Sequence, residues 1–248
     1  MQGDQIMCTI RHFYRRRYYL MQHLIKSFVL RQGRTSPRQL NGVEELPRYE
    51  VSAGDGPIDL EMLFGREAPT VIEIGFGMGA SLTTMAKAYP ETNFIGIEVH
   101  KPGVGSLVAD LMDEGITNVR IVNGDAVSFI TTRIDPQTLS GVQIFFPDPW
   151  PKKRHHKRRL IQAPFISLLT EKLAPGGFIH CATDWEDYAH QMLEVLSANP
   201  LLKNCAADGA FIERPETRPV TKFERRGERL GHGVWDVKFN VGWALAQQ

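Results

Sequence analysis

The chain has 248 residues, 42% of them hydrophobic, enough to bury one sizeable core, so a single α/β domain with appendages is expected rather than two full domains. Three cysteines, Cys8, Cys181 and Cys205, show neither Cys-x-x-Cys spacing nor an even-numbered framework, which argues against a zinc site or disulfide scaffold and fits a reducing cytoplasm. The formal net charge of +1 favours no class of partner by itself, and no apolar run reaches membrane-spanning length.

The distribution of charge says more. Between Gln5 and Val43 stand eight Lys/Arg (Arg11, Arg15, Arg16, Arg17, Lys26, Arg31, Arg34 and Arg38) and no acidic residue. Residues 1–45 therefore read as a basic arm, partly disordered when nothing is bound, ahead of a domain spanning 46–248. Apolar residues at 20–30 suit a short helix in that arm. Because Met21 lies just ahead of the Lys26-to-Arg34 segment, some of the first twenty residues are expected to be dispensable or to come from an upstream start codon.

From Thr70 onward, short apolar runs alternate with helical patterns. Strands are expected at 70–74, 93–98, 118–122, 142–146 and 177–182, and helices at 80–88, 103–114, 126–133, 159–172 and 186–198. This rhythm builds a parallel sheet with helices on both faces. Beyond residue 200, stretches near 205–213 and 234–240 read as an antiparallel pair closing the sheet. Between them the loop 214–233 carries Arg214, Arg218, Lys222, Arg225, Arg226 and Arg229, and is expected to fold over a polyanion as a lid.

The first strand runs into Gly75-x-Gly77-x-Gly79, a turn whose glycines permit positive φ and close approach of a ligand to the backbone ahead of a helix N-terminus. With Ala80 the spacing also satisfies the dinucleotide fingerprint, so NAD is one reading. Glu98, at the end of the second strand, suits the two hydroxyls of a ribose. Glu73, just before the turn, would repel a pyrophosphate but attract an ammonium group, and Asp125 can receive an adenine amino group. S-adenosylmethionine therefore fits better than NAD. Capping is the competing explanation for Asp125.

The fourth strand leads into Phe146-Pro-Asp148-Pro-Trp150-Pro and then six Lys/Arg within 152–159. In open α/β sheets ligands sit beyond the carboxyl ends of the strands, which makes Asp148 the candidate reaction-centre residue, restrained by its two prolines. Trp150 offers a flat face for a base, while Lys152, Arg158 and Arg159 are expected to contact phosphates. Asp184 follows the fifth strand and reaches the same opening, unless it serves as a helix N-cap. His155, His156 and His232 lack matching ligand spacing, so no metal is expected.

Phe146-Pro-Asp148-Pro-Trp150 with its basic run, Ala182-Thr-Asp184-Trp185, and Thr221-Lys-Phe-Glu224-Arg-Arg-Gly227 together resemble the bacterial tRNA (guanine-N7-)-methyltransferase family over roughly residues 25 to 240. The arm segment Lys26-Ser-Phe-Val-Leu-Arg31-Gln-Gly33-Arg34 matches as well. The resemblance implies a Rossmann-like class I methyltransferase, with a mostly parallel seven-stranded sheet, helices on both faces and an antiparallel C-terminal strand pair. It also implies S-adenosylmethionine as cofactor and a guanosine in the tRNA variable loop as target. On the cofactor side it places Glu73, Glu98, Asp125 and Asp148; on the substrate side, Lys152, Asp184, Thr221, Lys222, Phe223 and Glu224. An NAD-dependent oxidoreductase and a non-catalytic RNA-binding protein of the same fold are the alternatives.

Overall fold

The computed structural model describes residues 27–28, 34–220, 224 and 233–242. The first twenty residues, and the helix expected at 20–30 apart from Ser27 and Phe28, lie outside the described residues. Seven strands form one sheet: β1 (Thr70–Ile74), β2 (Asn93–Glu98), β3 (Val119–Asn123), β4 (Leu139–Phe145), β5 (Leu173–Thr183), β6 (Leu202–Asn204) and β7 (Trp235–Val241). Their spatial order is β3-β2-β1-β4-β5-β7-β6, with β7 antiparallel to both β5 and β6 and every other pair parallel. The strand order reverses between β1 and β4, and the crevice at that switch point is where such sheets accept ligands.

Helices α1 (Pro37–Glu44), α2 (Leu60–Phe64), α3 (Ala80–Ala88), α4 (Lys101–Asp113), α5 (Ala126–Arg133), α6 (Ala163–Lys172) and α7 (Glu186–Ser197) cover the sheet. Successive strand residues point to opposite faces. One face buries Ile72, Ile95, Val142, Ile179 and Val237 with Ile130, Phe165 and Tyr188 of α5, α6 and α7. The other buries Val71, Phe94 and Phe145 with Leu82 of α3 and Val104 and Leu107 of α4. Each fully buried large aliphatic side chain contributes about 1.5–3 kcal/mol, so this two-sided apolar burial, rather than any single contact, holds the sheet.

The expected bounds of β1, β2, α3 and α5 agree with the structure residue for residue, and β3, α4 and α7 agree within two. The strands expected at 142–146 and 177–182 begin earlier, at Leu139 and Leu173, and three larger corrections arise. The helix expected at 159–172 begins at Ala163, because the basic run forms its own 3-10 helix, Lys153–Arg158, and Pro164 then starts α6 in its first turn. The strand expected at 205–213 lies instead at Leu202–Asn204; of the expected stretch only Ile212 bridges to β7, opposite Asp236.

The third concerns the stretch read as an arm, whose last residues form α1. A capping box joins Ser36 and Gln39, and Pro37 sits in the first turn. Arg38 bonds Asp110 and Asp113 of α4. The two helices meet glycine on glycine: a Cβ at Gly42 would lie 2.0 Å from the Gly105 carbonyl oxygen.

Candidate active site

The sheet's carboxyl edge at the switch point opens into a cavity of about 440 Å3, lined from the glycine turn by Gly75, Gly77 and Met78, from β2 by Glu98, from α5 by Asp125, and from the loop after β4 by Phe146, Pro147 and Asp148. Ser27 and Phe28 complete one wall. The turn exists because Gly75, Gly77 and Gly79 hold φ of 76°, 60° and 88°, a region costly for any residue with a Cβ. At its back α4 packs so closely that a Cβ on Gly103 would lie 2.0 Å from the Gly77 carbonyl oxygen.

Glu98 braces this turn. Its Oε2 accepts from the Gly77 N–H at 2.9 Å, and its Oε1 from Val99 and His100 N–H groups at 2.7 and 3.0 Å. A carboxylate offers about four lone-pair directions, so about one remains toward the cavity. Asp125 combines the two readings made for it: one oxygen caps α5 by accepting from Ser128 N–H at 2.8 Å, and the residue lines the cavity.

Glu73 lies beneath the turn, 2% exposed, and its Oε2 has no hydrogen-bond partner among the described residues. Burial, with a smaller push from Glu98, raises its carboxyl pKa to about 8. An acid raised in the folded state stabilises the fold fully only below its unfolded pKa near 4.5, and that stability is lost as pH climbs toward 8. We therefore expect Glu73→Gln to flatten the decline of thermal midpoint between pH 5 and 8 in ligand-free protein. Parallel declines for variant and parent in a melting series would overturn that.

Asp148 is exposed at the cavity rim, and its side chain makes no hydrogen bond among the described residues. The loop that carries it is held under strain. Phe146 and Trp150, on either side of Pro147-Asp148-Pro149, adopt positive φ of 52° and 46°, which for bulky residues costs on the order of 1–3 kcal/mol each. Three bonds hold them there: Phe146 N–H to the Ala182 carbonyl at 2.7 Å, Trp150 Nε1–H to the Ser27 carbonyl at 3.2 Å, and Arg159 Nε–H to the Pro149 carbonyl at 2.8 Å.

Two arginines read as phosphate contacts have other surroundings. Arg159 is 2% exposed and also donates to Asp187 at 2.6 Å and Gln191 at 2.6 Å, with its guanidinium over the Tyr188 ring. It clamps the Asp148 loop to α7. Arg158 lies over the Trp150 ring, 4.5 Å from its centroid, so the face expected to receive a base is occupied by a cation. Lys152, Lys153, Arg154 and Lys157 remain exposed as the basic surface.

Register brings Asp184 to the same rim. Phe145 on β4 lies opposite Ala182 on β5, so Asp148 stands three residues past Phe145 and Asp184 two past its partner Ala182. The cap of α7 is Trp185, and the Asp184 carboxylate makes no hydrogen bond among the described residues, which disposes of the capping explanation.

Thr221, Lys222 and Phe223 lie outside the described residues, as do Arg225, Arg226 and Arg229 of the expected lid. Glu224 is buried, and its carboxylate accepts from Arg218 Nη1 at 2.7 Å and Nη2 at 3.0 Å, so its described partner is a protein cation rather than an open site. Arg218, expected in the loop that folds over a polyanion, is fully buried: it also donates to both Asp236 oxygens at 2.7 and 2.8 Å and rests over Phe145 and Phe146. His180 Nε2 donates to Asp236 at 2.8 Å. Burial would raise the Asp236 pKa, but the His180 and Arg218 bonds outweigh it and hold it low; burial lowers that of His180 despite Asp236. Among the described residues no cluster of His, Cys, Asp or Glu is placed to hold a metal ion, and no helix is long and apolar enough to cross a membrane.

This sheet order, with a glycine turn and carboxylates at the tips of β1, β2 and β4, defines a Rossmann-like class I methyltransferase. Residues 67–237 match the family described as "Putative methyltransferase". The fold is similar to that of the solved 16S rRNA methyltransferase KamB, with TM-score 0.55 and 14% identity over 78% of this chain and 99% of that one. Curated relatives are much nearer. The tRNA (guanine-N(7)-)-methyltransferase of Legionella pneumophila (strain Corby) is 59% identical over 88% of this chain and 99% of its own length, and that of Pseudomonas putida (strain W619) 54% identical over 87% and 90%. The chain belongs to the tRNA (guanine-N(7)-)-methyltransferase family.

Proposed function

We propose that the protein transfers a methyl group from S-adenosylmethionine to N7 of a guanosine in the variable loop of tRNA. The observation that carries this reading is a cavity lined by the glycine turn, Glu98, Asp125 and the exposed Asp148, with the buried carboxyl of Glu73 in the strand just before that turn. Glu73, its carboxyl pKa raised to about 8 by burial, gains by ionising beside a cation such as the amino-acid end of the cofactor and would lose by it beside a pyrophosphate. The free Glu98 lone pair suits a ribose hydroxyl, the second Asp125 oxygen an adenine amino group, and the open faces of Gly75 and Gly77 allow close backbone approach.

When bound, S-adenosylmethionine supplies an electrophilic methyl group. The N7 lone pair of guanine lies in the ring plane, so no proton need be removed first and no general base is required. The task left to Asp148 and Asp184 is orientation: their carboxylates can accept from guanine N1–H and its amino group and favour the positive charge that develops on the purine. Incubation of bulk tRNA with labelled S-adenosylmethionine should yield labelled 7-methylguanosine on nucleoside mass analysis. A different methylated base, or none, would overturn the assignment.

The exposed face Lys152, Lys153, Arg154 and Lys157 fits the backbone of such a substrate. Changing all four to Ala should weaken tRNA binding and lower the slope of log affinity against log salt by roughly 0.7–0.9 for each phosphate no longer neutralised. An unchanged slope in a titration series would put the RNA surface elsewhere. The tRNA substrate, with Cys181 buried and Cys205 exposed and both free among the described residues, fits a cytoplasmic location.

A further inference from the structure

We propose that Trp185 is the stacking platform for a base of the RNA substrate, pressing an extruded base against the rim that carries Asp148. The inference rests on the reading that the substrate is RNA and adds a binding residue to it.

Removing a purine from its stack costs a few kcal/mol, which RNA-binding proteins offset with an aromatic face. The aromatic residues described around the cavity are mostly engaged. Trp150 carries Arg158 over its ring, the edge of His155, and a bond from its indole N–H. Phe145 is 7% exposed and meets His180 and Arg218. Phe146 lies under Arg218, and Tyr188 is buried under Arg159. Trp185 differs: it is 39% exposed, and its ring has no ring or cation partner among the described residues.

Its position is fixed by its backbone. The Trp185 N–H bonds Thr183 Oγ1 at 3.2 Å, and its carbonyl accepts from Tyr188 and Ala189 as the first acceptor of α7. Register places Trp185 three residues past Ala182 and Asp148 three past its partner Phe145. Arg159 then ties the two together, binding the Pro149 carbonyl next to Asp148 and Asp187 two residues after Trp185. A large, part-exposed aromatic residue thus follows Asp184 directly at the strand ends from which the Asp148 loop also departs, a placement with a direct use for a nucleobase.

The test compares Trp185→Leu and Trp185→Phe with the parent protein. Stacking predicts a roughly 10- to 100-fold loss of kcat/KM for tRNA in Trp185→Leu, with most of it retained in Trp185→Phe. S-adenosylhomocysteine affinity, measured by calorimetry, should stay unchanged in both. Binding of tRNA should also quench tryptophan emission less in Trp185→Phe than in the parent. That quench reports stacking whatever atom is methylated, so it survives if the N7 assignment fails. Parental kcat/KM in Trp185→Leu with an undiminished quench in Trp185→Phe would overturn the proposal. So would joint loss of S-adenosylhomocysteine binding and thermal stability, which would make the ring a packing element.

Discussion

Asp148→Ala should lower turnover at least about 100-fold while leaving the fold intact, the signature of a group that positions substrate. The two halves of that expectation come from different observations. The carboxylate is exposed and makes no hydrogen bond among the described residues, so its removal resembles a surface change, worth within about 0.5 kcal/mol of stability. Yet the chain around it is strained at Phe146 and Trp150 and held by bonds from β5, the segment at Ser27 and Arg159, the arrangement expected of a loop that must aim this carboxylate. Asp148→Asn should also be impaired, because it keeps the shape but turns half of an acceptor pair into a donor. Near-parental turnover by either variant, with an unchanged melting curve and intact S-adenosylhomocysteine binding, would remove Asp148 from the reaction centre.

The largest effect on stability is expected from Arg218→Met. The substitution leaves Asp236 and Glu224 buried without the guanidinium both depend on, and breaking a buried pair from one side typically costs about 3–5 kcal/mol. His180, held neutral by burial, compensates poorly. A carboxyl with depressed folded pKa contributes stability above its unfolded value near 3.8 and loses it as pH falls through the folded one. The gap between parent and variant should therefore be widest near neutral pH and narrow in acid as the stranded Asp236 carboxylate protonates. Denaturant titrations at pH 7 and pH 4 check this; a gap of the same size at both would mean that Arg218 acts through packing over Phe145 and Phe146 alone.

Local pattern makes the fold legible where it is carried by apolar runs and glycine. Strand β1, the turn at Gly75 and helix α3 follow directly from Val71-Ile72, three glycines and the apolar spacing of Leu82, Met85 and Ala86. Helix α1 is concealed in a basic stretch, although Ser36-Pro37-Arg38-Gln39 is a capping-box signal sufficient to reveal it. The expected β4 and β5 begin late because Gly141 and Gly177 interrupt their first halves, and the register shift between Leu139 and Gly141 accommodates that.

The site divides along a different line. Carboxylates at strand tips, Glu73, Glu98, Asp125 and Asp148, converge on one cavity or its floor, since the ends of neighbouring parallel strands must lie together. Buried arginines are what local pattern hides. Arg159 and Arg218 sit in charge runs that look like solvated faces, and their partners Asp187 and Asp236 are 28 and 18 residues away, so nothing nearby in the chain signals burial. Likewise Glu98 has the sequence position of a ribose acceptor, but the backbone N–H groups that occupy most of it become visible only once the turn has folded.

Strand β7 runs against its neighbours, with Trp235 opposite Thr183 and Asn240 opposite Phe178. A parallel strand enters at the rim remote from chemistry and leaves at the reactive one; a reversed strand does the opposite. Inverting this single polarity means that the chain arriving at β7, not the chain departing from it, is delivered to the working rim, with Arg218 and Glu224 as its moorings. One backward strand thereby brings Gly233, Val234 and Trp235 to the edge of the sheet that carries Asp148 and Asp184, and not to the idle underside.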